Sequence, residues 1–235
     1  MSKVALVTGA HGGIGSAIVA RLEADGWTVH AVDVEDADLT TREGNRDAVE
    51  AALEAFGGLD VVVANAGFQH VSPVAEFPEE KWDTLIALLL TSPFLLAKYA
   101  WSALAESESG RFIAVASVHG LVASPYKVGY VAAKHGVVGL VKTLALEGAD
   151  AGILATAICP AFVRTPLVEN QIGDQAKAHG IPEERALEDV VLAPHAVKRL
   201  IEPDEVAELV AFLTGPGGRA FTGAAIPMDL GWTAR

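Results

Sequence analysis

Apolar residues come in short, nearly continuous runs at positions 4–7, 28–32, 61–64, 111–116, 154–159 and 225–227. Runs this short and this continuously apolar predict strands covered on both faces. Between them the spacing shifts to a helical period, which predicts helices over 14–25, 46–56, 82–104, 130–147 and 203–213. Strand and helix alternate along the whole chain, so the pattern predicts a single α/β domain over residues 1–235. Right-handed crossovers make this a doubly wound parallel sheet of the Rossmann type, with ligands at the carboxyl ends of the strands.

Two segments break the rhythm. The crossover after the second strand is shortened, because only a few residues separate Asp33 from Asp38-Leu39-Thr40. The stretch 166–201 is long, polar and flanked by proline, which predicts a substrate lid.

Composition narrows the class. With 51% apolar residues the chain can bury a sizeable core, and a net charge of −13 argues against nucleic acid as a partner. The single cysteine, Cys159, excludes an internal disulfide and is expected to be a small buried side chain. No run of about 18 apolar residues predicts a membrane span, and no export signal precedes the first strand, so a cytoplasmic protein is expected. His70, His135, His179 and His195 show no paired metal spacing, and no metal is assigned. His11 is expected to face solvent. The helices at 82–104 and 130–147 are apolar on more than one face, which predicts a homodimer or homotetramer.

Candidate chemistry begins in the loop after the first strand. Gly9, Gly13, Ile14 and Gly15 form a G-x-x-x-G-x-G turn between a strand and a helix. Glycines there let the backbone approach a pyrophosphate at a helix N-terminus. Asp33 closes the second strand, where a carboxylate accepts ribose hydroxyls and repels a 2′-phosphate. NAD is therefore expected over NADP. Further along, Ser117 ends a strand, and Tyr130 and Lys134 follow at a helical i, i+4 spacing. Lys134 is expected to lower the phenol's pKa and favour phenolate, so that Tyr130 exchanges a proton with an alcohol. Lys127 stands three residues before Tyr130, and His119 two after Ser117. Both can attract a small anion, with Gln69 and Gln171 as neutral donors.

The glycine loop, Asn65-Ala66-Gly67, Ser117 and Tyr130-x-x-x-Lys134 together resemble the short-chain dehydrogenase/reductase family over essentially the whole chain. The resemblance implies Tyr130 as acid/base, Lys134 as its activator and ribose ligand, and Ser117 as anchor of the substrate oxygen. It also implies Asn65, Ala66 and Gly67 on the adenosine side, beside Asp38 and Leu39. Pro160, Val163 and Thr165 would lie at the nicotinamide. The longer stretches Ser117–Lys127, Gly67–Val71, Thr165–Gln171 and Gly231–Arg235 resemble the bacterial D-3-hydroxybutyrate dehydrogenases within that family. This implies that Gln69, His119, Lys127 and Gln171 hold a substrate carboxylate while Trp232 closes the pocket. A small hydroxy acid is the expected substrate. Another hydroxy acid, a sugar, a 3-oxoacyl thioester, or a cofactor-sensing module without catalysis are the alternatives.

Three departures from the family pattern stand out. The segment after Asp33 is short. Ala161-Phe162 stands where relatives often carry Gly-Trp. Leu89 occupies the position of the family's catalytic Asn, so no side chain there can hold a proton-relay water.

Overall fold

The computed structural model describes residues 3–234. Met1, Ser2 and Arg235, the last of which ends the stretch Gly231–Arg235, lie outside the described residues. Six strands form one all-parallel sheet: β1 (Val4–Thr8), β2 (Thr28–Val32), β3 (Val61–Ala64), β4 (Arg111–Val115), β5 (Leu154–Pro160) and β6 (Ala225–Met228). Their spatial order is β2-β1-β3-β4-β5-β6. The chain turns to one side of β1 to lay down β2, then returns to its other side for β3. The carboxyl ends of β1 and β3 thus open the crevice at which such sheets bind ligands.

Alternate strand residues feed two cores, as the pleat requires. Leu6, Val62, Phe112, Ala114 and Ala157 pack under helices α2 (Arg42–Phe56), α4 (Ser92–Glu106) and α5 (Val128–Glu147). Ala5, Val7, Val63, Ile113 and Ile158 pack under α1 (Gly13–Ala24) and α9 (Pro203–Thr214). Cys159 is fully buried, as expected.

The short crossover is confirmed in form. Residues 33–41 make turns only, and α2 begins at Arg42, where the Thr41 side chain accepts from Gly44 N–H. Leucine and alanine spacing did not reveal that the helix expected over 82–104 is interrupted. Helix α3 (Glu79–Ile86) runs into a π-helical turn, Ala87–Thr91, before α4. A π turn inserts one residue and shifts the apolar period, but here it falls in Ala87-Leu88-Leu89-Leu90, where every position is apolar and the shift cannot be read. Glu79–Glu106 is long and apolar enough to cross a membrane by length and composition. In the fold it is a core element, burying Leu85, Leu89, Leu95, Leu96, Ala100 and Leu104. The polar stretch 166–201 is not an open loop. It folds into α6 (Pro166–Glu169), α7 (Gln171–His179), α8 (Glu183–Ala186) and a second π-helical turn, Leu187–Val191.

Candidate active site

The glycine loop is built for close approach. Gly9 has φ +64°, a conformation that favours glycine, and a Cβ on it would come 2.8 Å from Ala66 Cα. A Cβ on Gly15 would overlap the Gly9 carbonyl oxygen. Asn65 fastens this turn to β3, its side-chain amide donating to Thr8 O at 2.9 Å and Gly9 O at 3.2 Å. Above it lies a cavity of about 440 Å³ lined by Gly9, Gly13, Ile14, Gly15, Asp33, Asp38, Leu39, Asn65, Ala66, Gly67 and Thr165. Eleven residues expected from sequence to hold a dinucleotide thus line one space. Its size, its exposed backbone amides at the start of α1 and its terminal carboxylate fit an adenine dinucleotide. Asp33 already accepts from His11 N–H at 2.7 Å and Val34 N–H at 2.8 Å, which fixes the carboxylate at the mouth. The His11 side chain is exposed.

A second, smaller cavity shares Ile14, Asn65, Gly67, Thr165 and Leu167 with the first, so the two are adjoining. Ser117, Tyr130, Lys134, Pro160 and Val163 line it. Ser117 arrives from the end of β4; Tyr130 and Lys134 share one face of α5. Lys134 Nζ lies 5.5 Å from the Tyr130 ring centroid and donates to Val115 O at 2.8 Å. Burial lowers the Lys134 ammonium to about 8. The expected lowering of the phenol is not seen. Burial pushes Tyr130 above its ordinary value, and the hydrogen bond with Ser117 is the influence that opposes it. Taking the phenolate out of water costs more here than the Ser117 hydrogen bond returns.

Next to this pair sits a cluster of rings with a cation. Tyr126 is in the left-handed region at φ +67°, and its carbonyl accepts from Ser72 N–H at 2.9 Å. Such strain at a non-glycine residue marks a site whose geometry the surroundings enforce. It precedes Lys127, which is only 2% exposed, with its Nζ 4.8 Å from the Phe162 ring centroid. Burial lowers the ammonium to about 8, and among the described residues no carboxylate pairs with it. His119 joins Tyr130 (ring centroids 6.0 Å apart), Phe162 (6.4 Å) and Trp232 (5.4 Å). Burial and the Lys127 charge hold the imidazole at about 3, so it is neutral. Its Nε2 meets Ser124 Oγ at 2.9 Å. Trp232 stacks on Phe162 with ring centroids 5.8 Å apart.

The two glutamines are placed differently. Gln69 precedes the Ser72–Tyr126 contact by three residues and has a buried Oε1 without a partner. Gln171 is buried, but its amide nitrogen donates to Leu167 O at 2.9 Å, from the start of α7 back to α6. Sequence reasoning assigned no role to His195, a fully buried ring beside Phe162 and Trp232. Nothing in its local sequence signals that position, because the contacts join residues more than thirty apart.

Comparison with known proteins agrees with this architecture. A family model described as enoyl-(acyl carrier protein) reductase matches residues 35–233. A D-beta-hydroxybutyrate dehydrogenase of Rhizobium meliloti is 40% identical over 258 aligned positions, covering all of both chains. One from Cupriavidus necator is 41% identical, covering 99% of this chain and 98% of its own. An acetoacetyl-CoA reductase of Rhizobium meliloti is 32% identical over 98% of each chain. Among solved structures, levodione reductase superposes with a TM-score of 0.90 at 30% identity, covering 99% of this chain and 98% of its own.

Proposed function

This chain belongs to the short-chain dehydrogenase/reductase family, an oxidoreductase family, and from that premise we propose that it interconverts D-3-hydroxybutyrate and acetoacetate with NAD. The observation that carries the substrate is Lys127: a buried ammonium with no acidic partner, one ring away from the residues around Tyr130. An unpaired buried cation is costly, and a small anion bound beside it removes that cost. The two relatives at about 40% identity bear the name of this activity.

Tyr130 is the proton-transfer group. In oxidation its oxygen takes the hydroxyl proton of the alcohol, while Ser117 Oγ donates to the same substrate oxygen. The Ser117 hydrogen bond favours phenolate against the burial that opposes it, and the Lys134 cation stands beside the ring. A dinucleotide held along Gly9–Gly15, Asp33 and Asn65–Gly67 would take up the hydride from the same carbon, and its oxidised ring would add positive charge near Tyr130. Lys127, with neutral His119 and Gln69, orients the carboxylate so that the reacting carbon faces Tyr130. Trp232 and the helices of 166–201 shut water out as a lid.

NAD rather than NADP is supported by Asp33, whose carboxylate stands at the ribose end with no arginine beside it. A thioester substrate would leave the Lys127 cation without a counter-charge. Cytoplasmic residence suits the lone, buried thiol of Cys159. We also infer assembly as a dimer or tetramer, since Phe94 and Leu146 stand 44% and 81% exposed on α4 and α5. Initial rates with both enantiomers of 3-hydroxybutyrate, each with NAD and NADP, test the proposal. Turnover of the D enantiomer with NAD is expected; no oxidation of either enantiomer would overturn it.

A further inference from the structure

β2 is one edge of the sheet, and no strand lies beyond it among the described residues. Two hydrogen bonds show which way it faces. Thr28 N–H donates to Lys3 O at 2.9 Å, and Val32 O accepts from Ala10 N–H at 3.2 Å. Thr28, His30 and Val32 thus turn their backbone groups toward β1, so Val29 and Ala31 turn theirs outward. Among the described residues nothing bonds those outward amides and carbonyls. Ala31 is exposed, and Val29 and His30 are half-buried.

An open edge is ordinarily blunted by lysine, proline, a bulge or a covering segment. The opposite edge follows that rule, with Pro227 in β6. Thr28–Val32 has neither a lysine nor a proline, and residues 33–41 after it make turns only. The short crossover sends the chain straight into α2 and lays no strand outside β2.

This edge fits a second copy of itself. Paired antiparallel about His30, the Val29 N–H and C=O meet Ala31 of the second copy, and Ala31 meets its Val29. Four hydrogen bonds then close, with His30 opposite His30 on the two-fold axis. Side chains directly opposite each other lie on one face. That face is the one covered by α2, where His30 already packs edge-on against the exposed Phe56, ring centroids 6.1 Å apart. Pairing therefore continues one layer of rings: Phe56, His30, His30, Phe56. Burial lowers the His30 imidazole below its ordinary value against the pull of Asp36, so the two rings meet uncharged.

The ends of the pairing match in charge. Trp27 faces Asp33 of the second copy, and Lys3 Nζ stands 5.1 Å from the Trp27 ring centroid. A cation thus meets the acidic turn Asp33–Asp36. Asp25, on the same side, is already paired with Arg21 at 3.4 Å.

We propose that the β2 edge is an interaction surface for a second copy of this chain, joining the two sheets into one. The surface is separate from α4 and α5, and it does not depend on which substrate the chain takes.

Oxidative cross-linking tests the register. In a non-hydrogen-bonded antiparallel pair the Cα atoms lie about 4.5 Å apart, within the disulfide range of about 4.4–6.8 Å. His30→Cys should therefore form a reducible covalent dimer, and Cys159 is too buried to compete. Val34→Cys, exposed but away from the axis, should not. Adding Ala31→Pro, which deletes an outward N–H, should abolish the His30→Cys link, whereas adding Phe94→Glu on α4 should leave it. Hydrogen exchange on the wild type needs no variant. Its Val29 and Ala31 amides should exchange at least about tenfold more slowly than in an unstructured peptide of the same sequence. Peptide-like exchange at both amides would overturn the proposal and leave the edge to solvent. So would a His30→Cys chain with wild-type circular dichroism that stays unlinked, or one that links no faster than Val34→Cys.

Discussion

Lys127 Nζ lies 4.8 Å from the ring centroid of Phe162, in a setting that leaves the lysine 2% exposed. The aromatic face of Phe162 supports the ammonium. That contact, with the burial, makes Lys127 an interior cation rather than a surface charge.

Lys127→Met keeps the stem and removes the charge. A charge-assisted hydrogen bond contributes roughly 1.5–3 kcal/mol, so kcat/KM for 3-hydroxybutyrate should fall about 10- to 100-fold. An uncharged alcohol of similar shape should lose much less. Because burial lowers the ammonium to about 8, the wild-type KM for the acid should rise as pH passes upward through about 8. Steady-state kinetics on both substrates, from pH 6 to 10, check this.

Tyr130→Phe retains the ring between His119 and Lys134 but has no transferable proton. Turnover should fall by about 10²-fold or more, the usual span of general acid–base catalysis. Cofactor binding, followed by fluorescence titration with NADH, should persist. Near-normal turnover would move the proton transfer to another group.

Asp33→Ala should weaken NAD and narrow the gap to NADP, since it removes the carboxylate that repels a 2′-phosphate. It also frees His11 N–H and Val34 N–H, both now donating to Asp33. The loop should therefore loosen, and KM for NAD should rise more than kcat falls. Equal use of both cofactors by the wild type would contradict the assignment.

Leu89, in the π-helical turn, is 1% exposed and packs with Leu85 of α3 and Ala133 of α5. The turn forms with leucine at this position, and its backbone carbonyls can accept a hydrogen bond whatever side chain stands there. Leu89→Asn should change turnover less than about tenfold. It should also destabilise, because an amide buried without partners costs about 1–3 kcal/mol. Thermal melting together with rates separates the two effects; activity gained only on adding the asparagine would favour a chain that had lost catalysis.

His119 carries a pH signature in stability. Its folded-state value of about 3 lies below the ordinary 6.5, so between these the unfolded chain binds more protons. Stability from this group is complete above about 6.5 and is lost as pH falls toward 3. His119→Gln should flatten that part of the Tm–pH curve. A wild-type Tm independent of pH between 6.5 and 4 would show that the ring does not stay neutral.

Local pattern was enough to determine the strands, most helices and the two signature loops. Unbroken runs such as Val61–Ala64 suit only a strand covered on both faces, and the spacing of Tyr130 and Lys134 puts both on one helix face. The dinucleotide cavity was legible for the same reason: its residues sit in short turns at strand ends, where sequence neighbours are also neighbours in space. Tertiary structure alone decided the rest. The π turn at Leu89 is hidden because the run Ala87–Leu90 is apolar at every position and masks the shift in period, and 166–201 reads as polar loop because its helices are too short to show one. Tyr130's raised pKa depends on how much water the surrounding elements exclude, which spacing does not encode. The joining of His119, Lys127, Phe162, His195 and Trp232 depends on four separate segments converging beyond the sheet. Contacts over such distances follow from packing, so no stretch of the chain read by itself contains them.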